Sequence, residues 1–238
     1  MVVPEKKQKG ETRICVDLLK HNDACFHDPF LTPFIDEVLD NVRGQEAYSF
    51  TGGFSRYHQI KIAPEDRRKM SFAVEWGCLK YTLMPFGHKN AREIFFVIVI
   101  ATFKELIHKF LEVNFDGWMV FGLVKHHVAS LHLRLNMCHR YQIALNLKKY
   151  IFCVPFGIFL GPVLWKIGLM VDLAKIVVIG NLETPKNVNL CAMLGHMGYY
   201  RKFIKAYAQI NSPMEKLLKK DATLCWDEEC QCNLDVLK

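Results

Sequence analysis

Long apolar runs are missing from this 238-residue chain. The longest, IFFVIVIATF at 94–103, is closed by Glu93 and Lys104 and falls short of the ~18 residues that a membrane-spanning helix needs. An apolar leader is missing too: MVVPEKKQKGETR has no hydrophobic core, so no secretory signal is expected. Cysteine is sparse and odd in number, nine in all, which excludes a disulfide-built scaffold and fits free thiols in a reducing compartment. Cys225, Cys230 and Cys232 cluster near the end, but C-x-C without a companion pair or a histidine is poor zinc spacing. Low-complexity tracts and solenoid repeats are absent. These absences predict an intracellular chain, cytoplasmic or nuclear, with no membrane partner.

What is present is enough to build a core: 51% of residues are hydrophobic and 23% charged. The length suits one large domain or two modest ones. A net charge of +7 fits a polyanionic partner, although charge speaks to association rather than to fold.

Along the chain, the charged first dozen residues are expected to lack fixed structure, and RICVDLL reads as a strand. Pro33 can open a short helix through IDEVLD. AYSFTGG and YHQIKI read as extended pieces interrupted at Gly52-Gly53, and SFAVEW and LKYTLM as a hairpin around Gly77. A helix is expected from Asn90 to Lys109. FLEVNFDGWMVFG (110–122) reads as a hairpin turning at Asp116-Gly117. Asp116 is either a turn residue or a metal ligand. Val124, Val128, Leu131, Leu135 and Cys138 predict an amphipathic helix, with His126, His127, Arg134 and His139 on its solvated faces. Short strands at IFCV and IFLGPVLW follow. After Gly168 the texture turns helical: DLAKIVVI, NLCAMLGHMGYYRKFIKAY and PMEKLLKK. The fold class expected is α+β, with a boundary near 168–172.

Several ordered blocks carry a resemblance: YHQIKIAPEDRRKMSF, YTLMPFGHKNAREIF, VNFDGWMVFG, LNLKKYIF, FLGPVL, VDLAKIVVI, LGHMGYYRKFIKAYAQINSPMEKLLKKD and WDEECQ. Over nearly the whole chain they resemble the reverse transcriptase of gypsy-type LTR retrotransposons, in its Athila-like plant branch. The resemblance implies an α+β right-hand polymerase: partial fingers at 1–46, a palm at 47–167 with an inserted fingers hairpin at about 63–83, a helical thumb at 168–222, and the start of an RNase H-like region at 223–238. It implies deoxynucleoside triphosphates and an RNA/DNA primer–template duplex as partners. It also implies two Mg²⁺ ions, which stabilise the attacking and leaving oxygens together.

The family supplies three metal-binding aspartates, one in F-L-D-G-Y-S-G-Y and two in F-M-D-D or Y-x-D-D. Here those motifs read FTGGFSRY and NFDG. Gly52 and Gly117 therefore stand at two of the aspartate positions, and Asp116 alone remains as catalytic and metal residue. The expectation is a degenerate, truncated and catalytically inactive copy. The alternatives are a non-catalytic nucleic-acid-binding or interaction protein, and a remnant without function. Surrogate carboxylates are poorly placed. Glu112 lies about 13 Å from Asp116 at strand rise, Glu93 sits on a helix where the family is small and apolar, and no acid lies between Glu46 and Glu65.

The resemblance implies further roles. Arg13, with Lys6 or Lys7, matches residues that grip the triphosphate; Tyr57 matches the platform under the nucleotide sugar; Phe86, Gly87 and Asn90 match the nucleotide and template side. Arg56 stands where the family has a small residue, either crowding that platform or reaching outward to phosphate. Lys149 matches a proton donor to the leaving pyrophosphate, and Gly161 falls in the primer grip. Tyr199, Tyr200, Arg201 and Lys202 match a duplex-facing surface, although helix packing suits the tyrosines equally.

Overall fold

A computed structural model describes residues 2–6, 12–31, 33–54, 56–115, 117–181, 189–218 and 226–237. Lys7 and Asp116 lie outside the described residues. In chain order the elements are β1 (Val2–Lys6), β2 (Thr12–Val16), α1 (Leu19–Ala24), α2 (Ile35–Val42), β3 (Ala47–Thr51), β4 (Ser71–Val74), β5 (Gly77–Lys80), α3 (Ala91–Phe103), β6 (Leu111–Val113), β7 (Trp118–Gly122) and α4 (Val124–Arg140). There follow β8 (Ile151–Val154), β9 (Phe156–Ile158), β10 (Val163–Trp165), β11 (Gly168–Met170), α5 (Leu173–Gly180), α6 (Asn189–Tyr199), α7 (Tyr207–Lys216) and α8 (Glu228–Leu237). The chain divides into two units, 1–157 with 165–167, and 158–164 with 168–238. No helix among the described residues is long and apolar enough to cross a membrane.

The first unit is built on a four-stranded sheet in the order β6-β7-β3-β8. Alternation along the strands decides what each face meets. Leu111 and Val113 of β6 and Trp118 and Val120 of β7 join Phe95, Phe96, Val99 and Phe103 of α3 and Leu131 and Cys138 of α4 in one core. Burying each such side chain is worth about 1.5–3 kcal/mol. On the other face, Tyr48 donates its hydroxyl to the Val42 carbonyl at 3.1 Å, which seats α2 against the sheet.

Several expectations need correcting. Residues 2–6 form β1, which pairs antiparallel with β2, Glu5 opposite Arg13. The charged N-terminal stretch thus supplies a strand partner. YHQIKI is extended only in its second half: Arg56–Gln59 forms a 3-10 turn, held by Gln59, and Lys61 bridges to Leu83. The helix after Asn90 stops at Phe103 rather than running to Lys109. PMEKLLKK is not a helix of its own, since α7 begins at Tyr207, contains Pro213 and ends at Lys216.

The largest difference concerns α4. Its buried residues are His127, Leu131, Arg134 and Cys138, whereas Val124 and Val128 are 62% and 70% exposed. Two helical stripes lie side by side here, and counting apolar residues selects the wrong one. The sheet decides, because Ser49 of β3 is buried and takes His127 Nε2 as partner at 2.7 Å, while it also accepts the Cys153 N–H at 2.9 Å. Arg134 is fully buried, its guanidinium 5.3 Å from the Trp118 ring. No carboxylate pairs with it among the described residues, and its nearest polar neighbour is the Tyr150 hydroxyl, too poorly aligned for a regular hydrogen bond.

In the second unit, Leu190, Met193, Leu194 and Met197 of α6 share a core with Met214 of α7 and Cys230, Leu234 and Leu237 of α8. Asp227 caps α8 by accepting the Cys230 N–H at 2.8 Å, and that bond holds its carboxyl below the usual range.

Two outcomes are expected. Burial pushes the Arg134 guanidinium below its usual range, and an unpaired buried cation is costly. Arg134→Leu should therefore raise stability by roughly 1–3 kcal/mol, measured by urea unfolding; a loss of stability would contradict the assignment. Burial also pushes His127 down from 6.5. The unfolded chain then takes up the proton first, so stability is full above about 6.5 and is lost as pH falls below it. His127→Gln should show a shallower fall in Tm between pH 7 and pH 5 than the parent; an unchanged slope would count against it.

Candidate active site

The register of β3 on β7 builds the site. Thr51 pairs with Trp118, so the next residues, Gly52 and Gly117, come opposite each other where the two strands end. The approach is close: a Cβ placed on Gly117 would lie 3.2 Å from the Thr51 carbonyl oxygen. Asn114 and Gly117 exchange backbone bonds at 2.9 and 3.3 Å, so Gly117 closes the hairpin opposite Asn114 instead of lying at its tip. The turn thus falls one residue earlier than the Asp-Gly signal suggests. Val113 already pairs with Trp118, and this leaves Asn114 and Gly117 as the closing pair.

A third segment hangs from Gly52. Its carbonyl accepts the Asn146 N–H at 2.9 Å and the Tyr150 hydroxyl at 3.3 Å. Asn146 in turn accepts the Lys149 N–H at 3.1 Å, so the turn carrying the exposed Lys149 is anchored to Gly52. Gly53 bridges to Leu145, and a Cβ there would lie 3.2 Å from the Phe95 ring and 3.4 Å from Trp118. Gln59, which sequence reasoning passed over, clamps the arrangement. Its Oε1 accepts the Ala144 N–H at 2.7 Å, and its Nε2 donates to the carbonyls of Ala144 at 3.1 Å and of Phe54. No sequence pattern marks a glutamine for this role.

Tyr57 packs edge-on against Phe86 at 5.3 Å and Phe95 at 6.1 Å, so the platform residue and the MPFG loop are brought together. Arg56 takes a φ of 22°, a backbone conformation that favours glycine. Gly87, at φ 90°, meets the same demand with the residue suited to it, and its carbonyl accepts Asn22 Nδ2 at 2.7 Å. The Asn90 side chain donates to the Phe26 carbonyl at 2.8 Å and accepts the Asp28 N–H at 3.4 Å. Arg13 and Lys6 belong to the paired strands β2 and β1.

Two of the three surrogate carboxylates are engaged by other partners. Glu112 is 1% exposed, bonded to His108 Nδ1 at 2.8 Å and to Asn41 Nδ2 at 3.4 Å; burial raises its pKa despite His108. Glu46 pairs with Lys166 at 3.4 Å and accepts the Val124 N–H at 3.3 Å, at the opposite end of β3. Glu93 has one oxygen buried without a partner among the described residues, in the first turn of α3. Magnesium needs oxygen ligands in near-octahedral order. The two glycines at the strand ends offer no side-chain oxygen, so the described residues do not fit a two-metal site. Tyr150, a further residue not singled out from sequence, has its hydroxyl pushed up to about 12 by burial, although Arg134 beside it acts in the opposite direction.

In the second unit, Phe159 and Pro162 close a two-residue turn in which Leu160 and Gly161 take φ of 53° and 109°. Gly161 lies flat on Tyr199: a Cβ would come within 2.5 Å of the ring. Tyr199 is 39% exposed and Tyr200 only 7%, so packing claims Tyr200, whose pKa burial raises. Arg201 and Lys202 sit in the exposed turn that follows.

Comparison with known proteins places this geometry. The Pol polyprotein of the Drosophila melanogaster transposon 297 is 30% identical over 224 residues, covering 92% of this chain and 21% of its own length. That of transposon 412, from the same organism, is 28% identical over 237 residues, covering 97% and 19%. The chain is homologous to the Pol polyproteins of gypsy-type retrotransposons. It spans about a fifth of the length of these relatives. No family model matches it. The foamy viral protease-reverse transcriptase, solved with double-stranded DNA, superposes with a TM-score of 0.86 at 19% identity over 99% of this chain and 42% of that one. The fold is the α+β right-hand polymerase of reverse transcriptases.

Gly161 combines positive φ with contact to Tyr199. Gly161→Ala is expected to cost about 2 kcal/mol in stability, and Tyr199→Ala in the same chain should recover the part due to the clash. Additive losses in thermal unfolding would show that the two do not touch.

Proposed function

We propose that this chain is a retrotransposon-derived reverse transcriptase domain, of the Athila-like branch its motif blocks resemble, that does not catalyse nucleotide incorporation. The observation that carries this reading is the meeting of Gly52 and Gly117 at the paired ends of β3 and β7. Phosphoryl transfer depends mainly on positioning and electrostatic stabilisation. Losing two carboxylates from a two-metal clamp costs at least ~4 kcal/mol in barrier, about a thousandfold in rate. Asp116 by itself organises little charge. The positive φ of Arg56 beside Tyr57 supports the same reading, because it sets a long cation where the backbone suits glycine.

A second reading, duplex binding without chemistry, is favoured by the half-exposed Tyr199 laid on the Gly161 turn and by the cations of Arg201 and Lys202 beside it. Structural neighbours were solved with double-stranded DNA and with an RNA/DNA hybrid. The surface here is of the kind that would meet a phosphate backbone, and such binding weakens steeply as salt rises.

Primer extension by the purified chain with Mg²⁺ or Mn²⁺ is expected to yield no product. Extension that disappears in Asp116→Ala would overturn the reading. Gly52→Asp with Gly117→Asp should raise divalent-ion affinity before any polymerisation returns, and each change alone should do much less because the ligands act as a unit. Any side chain at 117 must first shift the Thr51 carbonyl contact of 3.2 Å by a few tenths of an ångström.

A further inference from the structure

Away from the sheet end, α1 carries His21 and, at its C-terminal cap, Cys25. They are one helical turn apart and on one face. The chain returns to them at His88, directly after the Phe86-Gly87 loop. The ligand atoms of His21, Cys25 and His88 all lie within 4.8 Å of one another, and each residue is half-buried. His21 Nε2 and Cys25 Sγ are 3.3 Å apart, and the two imidazole centroids 5.3 Å. The cluster lines a cavity of about 300 Å³ whose wall also holds Asp66 and Lys69.

We propose that His21, Cys25 and His88 form a zinc site. Two imidazoles and a thiolate are a borderline-soft donor set that suits Zn²⁺ and not Mg²⁺ or Ca²⁺. The three are held together by bonds that do not involve them: Asn22 Nδ2 donates to the Gly87 carbonyl at 2.7 Å, and the Lys89 N–H donates to Asn22 Oδ1 at 2.9 Å. Such preorganisation lowers the ordering cost that a metal site otherwise meets. A fourth position opens on the cavity, for water; Asp66, on the same wall, is held by Lys69 Nζ at 2.6 Å. On binding, the Cys25 S–H bond breaks, a Zn–S bond forms and the proton leaves to solvent. His88 Nδ1 accepts the Asn90 N–H at 3.2 Å, so zinc at Nε2 requires the ring proton on Nδ1 and gives up that contact. The metal would fasten α1 to the loop whose Phe86 supports Tyr57. This inference does not depend on whether the chain polymerises.

The test titrates Zn²⁺ into the reduced full-length chain against a chromophoric chelator, with Co²⁺ as spectroscopic probe. Expected are one tight equivalent, about one proton released per zinc near pH 7, a thiolate-to-cobalt charge-transfer band, and a Tm raised by roughly 5 °C at a hundredfold excess of free zinc over Kd. Cys25→Ser should abolish the band and weaken zinc binding roughly tenfold or more. His88→Ala should weaken zinc similarly, whereas Cys78→Ser and Cys191→Ser, both at exposed thiols, should change nothing. A band that survives Cys25→Ser, or a parent chain whose Tm zinc does not raise, overturns the proposal even if a variant fails to fold.

Discussion

The antiparallel pairing of β3 with β7 is the interaction from which the rest of the first unit takes its geometry. It fixes which residues of β7 face α3 and α4 and which face α2, since a slip of one residue would send Trp118 and Val120 to the wrong side. The same register delivers positions 52 and 117 to a shared end. The Gly52 carbonyl then suspends the segment of Asn146, Lys149 and Tyr150, and Gly53 lets Phe95 and Trp118 close over the backbone. A sheet that holds its register in this way keeps the shape of the fold whatever side chains stand on its ends. Shape and chemistry are separable here because backbone bonds and apolar packing set the first, and two side chains missing at Gly52 and Gly117 bear on the second.

That separation explains what could be read from the sequence. The strands that flank Gly52 and Gly117 were legible from order along the chain, and their register brings the two glycines opposite each other. The hairpin at 110–122 was legible as a hairpin, but its turn was not. Local Asp-Gly propensity yielded to the register that Val113 and Trp118 impose. The buried face of α4 was misread for a related reason: periodicity counts apolar residues, and the sheet beneath offered Ser49, for which a histidine is a better partner than a valine. Gln59 was invisible because its partner Ala144 is distant in sequence, and the His21–Cys25–His88 cluster because His88 is, the i, i+4 spacing of His21 and Cys25 marking no site by itself.

Burial has an asymmetric effect on the polar residues of α4. His127 and Ser49 form a satisfied pair, with the Cys153 N–H completing the hydroxyl's bonds, and such a pair adds specificity to the core at little cost. Arg134, seven residues on and on the same stripe, has no comparable bonds among the described residues and faces a tryptophan ring. A guanidinium in that position draws on the stability the sheet provides and returns little of it, since a ring face beside a buried cation offsets only part of its desolvation. The neighbouring Tyr150 hydroxyl, neutral as any tyrosine is near pH 7 and pushed further up to about 12 by burial, supplies no counter-charge.

These features bear on one another at the strand ends. Tyr150 lies beside Arg134 and donates to the Gly52 carbonyl, so a buried positive charge sits one residue removed from Gly52. A site built to attract divalent cations needs net negative charge around it, and a cation nearby in a low-dielectric interior opposes that. With no side-chain carboxylate at 52 or 117, the guanidinium meets no such conflict. Glycine at 52 and 117 and a buried arginine nearby are therefore compatible in this chain.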